Sequence, residues 1–183
     1  GADIIVDIHP DGEYKPSVIP LAIKEAEKGA ELILGDRFSN TKEVLASGLF
    51  FWKILPIKTL NFIDNIILGT RINDLHQGFR VYTKELLSKV NYESNSNGFI
   101  FSFELIVQAV FHGVKITQVP VEVRYKGEKR GATLKESFKY SLDTFKVLCR
   151  YMLAKIGFRD DLFLPPKNLD VRIKKLDQLY ENF

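Results

Sequence analysis

A single cysteine, Cys149, stands in the 183 residues, which excludes an internal disulfide framework and suits a reducing compartment. Long uncharged apolar runs are also missing. The nearest candidate, residues 45–68, is interrupted by Lys53, Pro56, Lys58 and Asp64, short of the roughly 18–20 apolar residues of a membrane span. Charge of one sign does not dominate either: a formal net charge of +3 is too mild to argue for a nucleic-acid partner. The first residues carry no basic segment of the signal-peptide kind. No internal repeat or low-complexity tract interrupts the chain.

What is present is enough apolar sequence, 45%, to bury one sizeable core. The opening run Ile4-Ile5-Val6-Asp7-Ile8 breaks into His9-Pro10-Asp11-Gly12-Glu13-Tyr14. The pattern predicts a strand over residues 3–8 that delivers an acidic residue at its carboxyl end, where open α/β sheets place metal and phosphate chemistry. Pro, Asp and Gly also form turns without any function, so this segment alone leaves both readings open. The sequence enters this strand within three residues and without an initiator methionine, which predicts that further strands lie upstream or come from a partner.

A helix is expected over residues 17–28, with Val18, Ile19, Ala22, Ile23 and Ala26 at helical spacing, and a strand over residues 31–34. Strand, helix and strand within 35 residues predict a right-handed parallel crossover. A long apolar helical region follows to Leu68, and a polar turn then leads into a strand ending near Tyr82. Thr83 is placed to cap a short helix over residues 84–89. Further helices are expected over residues 103–112 and 134–156, with strands over 114–119 and 120–125. Pro165-Pro166 marks a linker to a charged helix over residues 169–180. The domain reading is residues 1–158 as one catalytic-type domain and 159–183 as linker and terminal helix.

Five segments carry chemistry: His9 to Tyr14, Gly35-Asp36-Arg37, Asp74 to Tyr82, Asn95 to Glu104, and Val119 to Tyr125. In that order and spacing, over about residues 1–141, they resemble family 2 glycosyltransferases of the dolichyl-phosphate mannosyltransferase type. The resemblance implies a glycosyltransferase A fold, an α/β Rossmann-like mixed sheet flanked by helices, here without its first strands. It implies metal-dependent transfer of a sugar, with inversion, from a nucleoside diphosphate sugar to a polyprenyl-phosphate or glycan acceptor. The family's Asp-x-Asp-Gly-Gln reads His-Pro-Asp-Gly-Glu here.

A sugar diphosphate needs its charge neutralised as the glycosidic bond breaks, and a divalent cation, Mg²⁺ or Mn²⁺, does this from carboxylate oxygens. Asp11 is the expected metal ligand. His9 is a second ligand, a phosphate or sugar contact, or a turn former; a nitrogen donor favours Mn²⁺. Asp7 either assists or is a satisfied strand-end carboxylate. Arg37 is expected to pair with phosphate bidentately, the alternative being a salt bridge with Asp36 or another neighbour. Asp74 is the general-base candidate if the acceptor is an alcohol, and a positioning group if it is a phosphate. The resemblance implies that Arg80 supports the acceptor site and that Glu104 faces the acceptor pocket, completing the catalytic set; the alternative for Glu104 is a helix N-terminal charge. His76, Gln77 and Arg124 are expected to bind substrate.

Residues 45–68, with Trp52, Lys53 and Lys58, and the cation-rich stretch 126–150 predict peripheral contact with the cytoplasmic face of a membrane, in an otherwise cytoplasmic protein. The alternative is apolar packing on the sheet with a solvated cationic face. As 183 residues alone, the chain is expected to bind donor poorly and to turn over little. A non-catalytic glycosyltransferase-like binding or assembly module is the rival reading. A nucleotidyltransferase is disfavoured, because these residues hold no Gly-rich loop with a following Lys, although such a loop could lie upstream.

Overall fold

The computed structural model describes residues 2–39, 44, 51–124 and 133–166. Four strands form one mixed sheet: β1 (Ile4–Asp7), β2 (Leu32–Asp36), β3 (Arg80–Thr83) and β4 (Ile116–Pro120), in the order β1-β3-β2-β4. β3 runs antiparallel to both of its neighbours, with Asp7 opposite Arg80 and Leu34 opposite Arg80 on the other side. β2 and β4 are parallel. The parallel direction expected for the crossover from β1 through α1 to β2 is borne out, since both strands run antiparallel to β3, which lies between them. Sequence order could not show this, because the intervening strand comes some 45 residues later.

Period-two alternation sorts the strand residues into two cores. Leu32, Leu34 and Tyr82 face one side, with Leu75, Phe103, Ile106 and Leu148. Ile33, Val81 and Val119 face the other, with Val18 from the 3₁₀ turn Pro16–Val18 and Ala22 from α1 (Ile19–Glu27), which follows it. β2 is buried at all five positions. Layers of helix on both faces of a sheet are the stable arrangement for such strands.

The remaining helices are α2 (Phe51–Leu68), α3 (Lys84–Lys89), α4 (Phe101–Phe111) and α5 (Leu134–Lys155). Thr83 caps α3 by accepting from the Leu86 amide, as expected. α5 starts on a reciprocal capping box between Thr133 and Glu136. The strand expected over 120–125 is only a single antiparallel bridge, Tyr14 to Val123, within the described residues. The expectations for residues 45–50, for Tyr125 to Arg130 and for the terminal helix 169–180 lie outside the described residues.

α2 differs from the expected apolar slab. Its inward face carries Asn61, Asp64, Asn65 and Leu68, at helical spacing of three and four, whereas Leu55, Phe62 and Ile66 face outward and are well exposed. The inward polar residues hold the following loop. Asn61 donates to the Ile72 carbonyl (2.8 Å) and accepts from the Leu75 amide (2.9 Å). Asn65 donates to the Ile72 carbonyl (2.8 Å) and accepts from its amide (2.8 Å). A loop without regular hydrogen bonding is thus saturated by two side-chain amides.

Candidate active site

The chemistry-bearing segments meet at one end of the sheet. There the chain leaves β1 and β2 and enters β3. After β1, Asp11 accepts from the Glu13 amide (3.0 Å), an Asx turn completed by Gly12 at φ 74°. His9 Nδ1 lies 3.8 Å from Asp11 Oδ2, and both side chains are about half exposed. The turn is tied to the loop before β3: the Gly78 amide donates to the Tyr14 hydroxyl at 2.7 Å. The His9 ring lies so close to Gly78 that a Cβ there would meet it at 2.6–2.9 Å. Glu13 faces both sides of this junction. Burial, then the Asp11 carboxylate, push its carboxyl up, while His9 and Arg37 oppose the shift.

After β2, Asp36 closes its own turn by accepting from the Phe38 amide (2.8 Å) and from Asn73 Nδ2 (2.8 Å). Arg37 grips Asp74 in a bidentate pair, Nε to Oδ2 at 2.6 Å and a terminal nitrogen to Oδ1 at 2.9 Å. The same nitrogen donates to the His76 carbonyl at 3.2 Å. Asp74 is fully buried and Arg37 nearly so. Both Asp74 oxygens are therefore engaged, an arrangement suited to holding the loop rather than to taking a proton.

His76 is buried between three elements. Its Nε2 is 2.6 Å from Asp64 Oδ2 on α2, and its Nδ1 is 3.0 Å from the Tyr140 hydroxyl on α5. Its ring stacks on Phe103 of α4, with centroids 5.2 Å apart. Gln77 is buried, accepts from the Phe79 amide and presses on Gly35, where a Cβ would meet its Oε1 at 2.9 Å. Arg80 is buried at the start of β3, 3.8 Å from Asp7, and its Nε has no hydrogen-bond partner among the described residues. Asp7 also accepts from the Tyr82 hydroxyl at 3.2 Å, and burial pushes that phenol up to about 12.

Two expected site residues stand apart from this cluster in their bonding. Glu104 is buried on α4 and accepts from the amide (2.6 Å) and hydroxyl (2.8 Å) of Ser96, with Arg150 at 3.6 Å. It anchors the loop before α4. Arg124 is exposed, but its amide donates to the Glu13 carbonyl at 2.9 Å, which sets it beside the first turn. Asp64, Tyr140 and Glu13 take part without having been singled out. Asp64 is the only acid in α2, and an acid inside an otherwise apolar helix is a signal that could have flagged it. Nothing comparable marks Tyr140.

No group of three or more His, Cys, Asp or Glu side chains able to hold a metal occurs among the described residues. No helix there is long and apolar enough to cross a membrane.

No protein-family model matches the chain. Over 123 residues it is 28% identical to the polyprenol monophosphomannose synthase of Mycolicibacterium smegmatis, a stretch covering 66% of this chain and 45% of that protein. It is 26% identical over 156 residues to an uncharacterized protein of Methanocaldococcus jannaschii, 84% of this chain and 60% of the relative. Among solved structures, glucosyl-3-phosphoglycerate synthase of Mycobacterium tuberculosis superposes with a TM-score of 0.56 at 19% identity, over 87% of this chain and 52% of that one. A structure of that enzyme with Mn²⁺, UDP-glucose and glycerol 3-phosphate gives 0.55 at 20% identity and the same coverage. The chain thus spans about half the length of the relatives it matches. The shared fold and the sequence relative bear out the resemblance read from the five motifs: the chain has the glycosyltransferase A fold and is similar in sequence to a polyprenol monophosphomannose synthase.

Proposed function

We propose that these residues form the acceptor-side part of a metal-dependent, inverting glycosyltransferase that uses a nucleoside diphosphate sugar. The observation that carries this reading is the packing of the His9–Asp11 turn directly onto the Asp74–Arg80 loop, through His9 on Gly78 and Tyr14 on its amide. Among the sequence relative and the structural neighbours, one is named for polyprenol monophosphomannose synthesis and another holds Mn²⁺ with UDP-glucose. These support a polyprenyl-phosphate or hydroxylated acceptor and a sugar nucleotide donor.

The donor set fits a hard divalent ion. Asp11 offers a half-exposed carboxylate and His9 one ring nitrogen beside it. Two protein ligands suffice for an ion that takes its remaining oxygens from a diphosphate and water. Asp11 and His9 would hold it, and its chemistry there is to neutralise charge on the departing diphosphate. Arg37 holds Asp74, and Asp74 holds the loop on which the acceptor would rest. Arg80, Gln77 and Arg124 line the same end of the sheet and are proposed to contact substrate.

With relatives about twice as long, the base and ribose contacts are proposed to lie outside these residues, so the 183 residues alone bind donor weakly. The rival reading, a non-catalytic binding or assembly module, draws on Arg37, whose guanidinium is occupied by Asp74. Titration of UDP-glucose into the chain with and without Mn²⁺ separates the two. Mn²⁺-dependent binding that Asp11→Ala abolishes supports the transferase; binding indifferent to both changes sinks it.

Peripheral membrane contact is proposed through the outward stripe of α2 and the neighbouring face of α5. Leu55, Phe62 and Ile66 are exposed on one, Phe138 and Leu142 on the other. Lys53 and Lys58 flank the first and Lys135 and Lys139 the second, a mixture suited to an anionic lipid surface. Co-sedimentation with phosphatidylglycerol vesicles is expected, and loss of it in Phe62→Asp/Ile66→Asp.

A further inference from the structure

The Asp64–His76–Tyr140 chain is built from three separate helices and loops, and it is hard to explain as packing alone. A carboxylate buried to zero exposure costs several kcal/mol unless it is paired. Asp64 has one oxygen on His76 and its other oxygen, Oδ1, without a partner among the described residues. An asparagine would satisfy a loop more cheaply, as Asn61 and Asn65 do one turn away on the same face.

The hydrogen-bond pattern constrains which nitrogen carries the proton. A carboxylate only accepts, so the 2.6 Å contact requires a proton on His76 Nε2. The Tyr140 phenol stays protonated at any ordinary pH: burial, together with the nearby Asp64 and Asp74 carboxylates, pushes it up to about 12 against the opposing pull of Arg80. It can therefore donate to Nδ1 at 3.0 Å. The charged and titratable groups around His76 are Asp64 from α2, Tyr140 from α5, Arg37 on its own carbonyl, and Asp74 and Arg80 on either side in its loop and strand; α4 contributes the uncharged Phe103.

We propose that Asp64 fixes His76 as the neutral Nε2–H tautomer, leaving the Nδ1 lone pair, reached through the Tyr140 hydroxyl, as the proton acceptor of the acceptor site, and that the acceptor is accordingly an alcohol. This rests on the transferase reading above and assigns the base role away from Asp74, whose two oxygens are taken by Arg37. The acceptor O–H gives its proton to the Tyr140 oxygen while the phenol proton passes to His76 Nδ1. The acceptor oxygen forms its bond to the anomeric carbon, and the bond from that carbon to the diphosphate oxygen breaks with its electron pair leaving on the nucleoside diphosphate. The resulting imidazolium is stabilised by Asp64, as a buried acid stabilises a catalytic histidine elsewhere. An already anionic phosphate acceptor would need none of this.

Two measurements test it. Ring ¹⁵N spectra of the chain, with the His76 signals assigned by their loss in His76→Gln, are expected to show an unprotonated Nδ1 and a protonated Nε2 at neutral pH. Asp64→Asn should mix the two tautomers, and Tyr140→Phe should keep the tautomer but shift Nδ1. A protonated Nδ1 in the unmodified chain overturns the proposal whatever the activity. In transfer from UDP-glucose with Mn²⁺, His76→Gln should lower kcat at least tenfold more toward glycerol 3-phosphate than toward a polyprenyl phosphate in detergent. Equal losses toward both acceptors, or none toward the alcohol, also overturn it. Absence of any transfer by the unmodified chain is what its partial length leads one to expect, and the ring spectrum then decides the relay by itself, while the Mn²⁺-dependent donor titration decides the transferase reading.

Discussion

The two sides of the candidate site are built in opposite ways. On the β3 side, Arg37, Asp74, Asp64 and His76 are buried and bonded to one another before any ligand arrives. On the β1 side, His9 and Asp11 are half exposed and held mainly by one Asx turn and the contact with Gly78. Preorganised charge belongs where a geometry must be kept, and exposed donors belong where something from solvent must be gripped and released. The same comparison separates stability from binding: breaking the buried Arg37–Asp74 pair should destabilise the protein, and substitutions on the open side should only weaken its ligands.

The largest effect is expected at the Arg37–Asp74 pair. Asp74→Ala leaves a buried guanidinium without its carboxylate, and removing one partner of a buried ion pair costs about 3–5 kcal/mol. Chemical denaturation should show the midpoint falling accordingly, while Asp11→Ala under the same conditions stays within ~0.5 kcal/mol of the parent. Equal losses from the two substitutions would erase the distinction between the sides.

Asn65→Ala comes next. It strips the partner from the Ile72 amide and one of the two donors from the Ile72 carbonyl, which keeps Asn61, and an unsatisfied buried group costs roughly 1–3 kcal/mol. Because that loop leads directly into Asp74, amide hydrogen exchange at residues 70–76 should quicken more than in β2. Uniform quickening would mean that Asn65 supports the whole domain and not the loop.

Much of this architecture is legible in the residues. The strand-end acid of the first turn, the Thr83 cap and the helix that contains Glu104 all follow from local rules, because capping and periodicity act over a few residues. The site is less legible for a definite reason. Arg37 is chemically suited to phosphate and to carboxylate alike, and only the fold reveals that Asp74, 37 positions later, occupies it. The apolar excess of α2 likewise hides that its scarce polar residues face inward. Strand order fails for the same reason: β3 inserts between β1 and β2 through pairing that no local pattern encodes.

A third substitution sharpens the comparison on the open side. In Gly78→Ala the new methyl would collide with the His9 ring, which is half exposed and can rotate away. Stability should change by less than ~0.5 kcal/mol. Mn²⁺-dependent donor binding should nevertheless weaken as much as in His9→Ala. A Gly78→Ala variant that binds like the parent would show that the ring position is immaterial to the ion.

The smallest effect lies far from both sides and serves as their control. Arg150 donates to both oxygens of Asp160, at 2.8 and 2.7 Å, and these bonds hold the Asp160 carboxyl below its ordinary 3.8 despite partial burial. A depressed carboxyl stabilises the fold above its unfolded-state value, and the contribution fades as pH falls through the lower folded-state value. Arg150 is more than a third exposed, so the pair is worth at most about 1 kcal/mol after screening. Urea unfolding of Asp160→Asn should therefore show a small deficit at pH 7 that shrinks below about pH 4, with no change in Mn²⁺-dependent donor binding. A deficit independent of pH would assign the loss to the Leu162 amide, which Asp160 also caps at 2.9 Å, rather than to the ion pair.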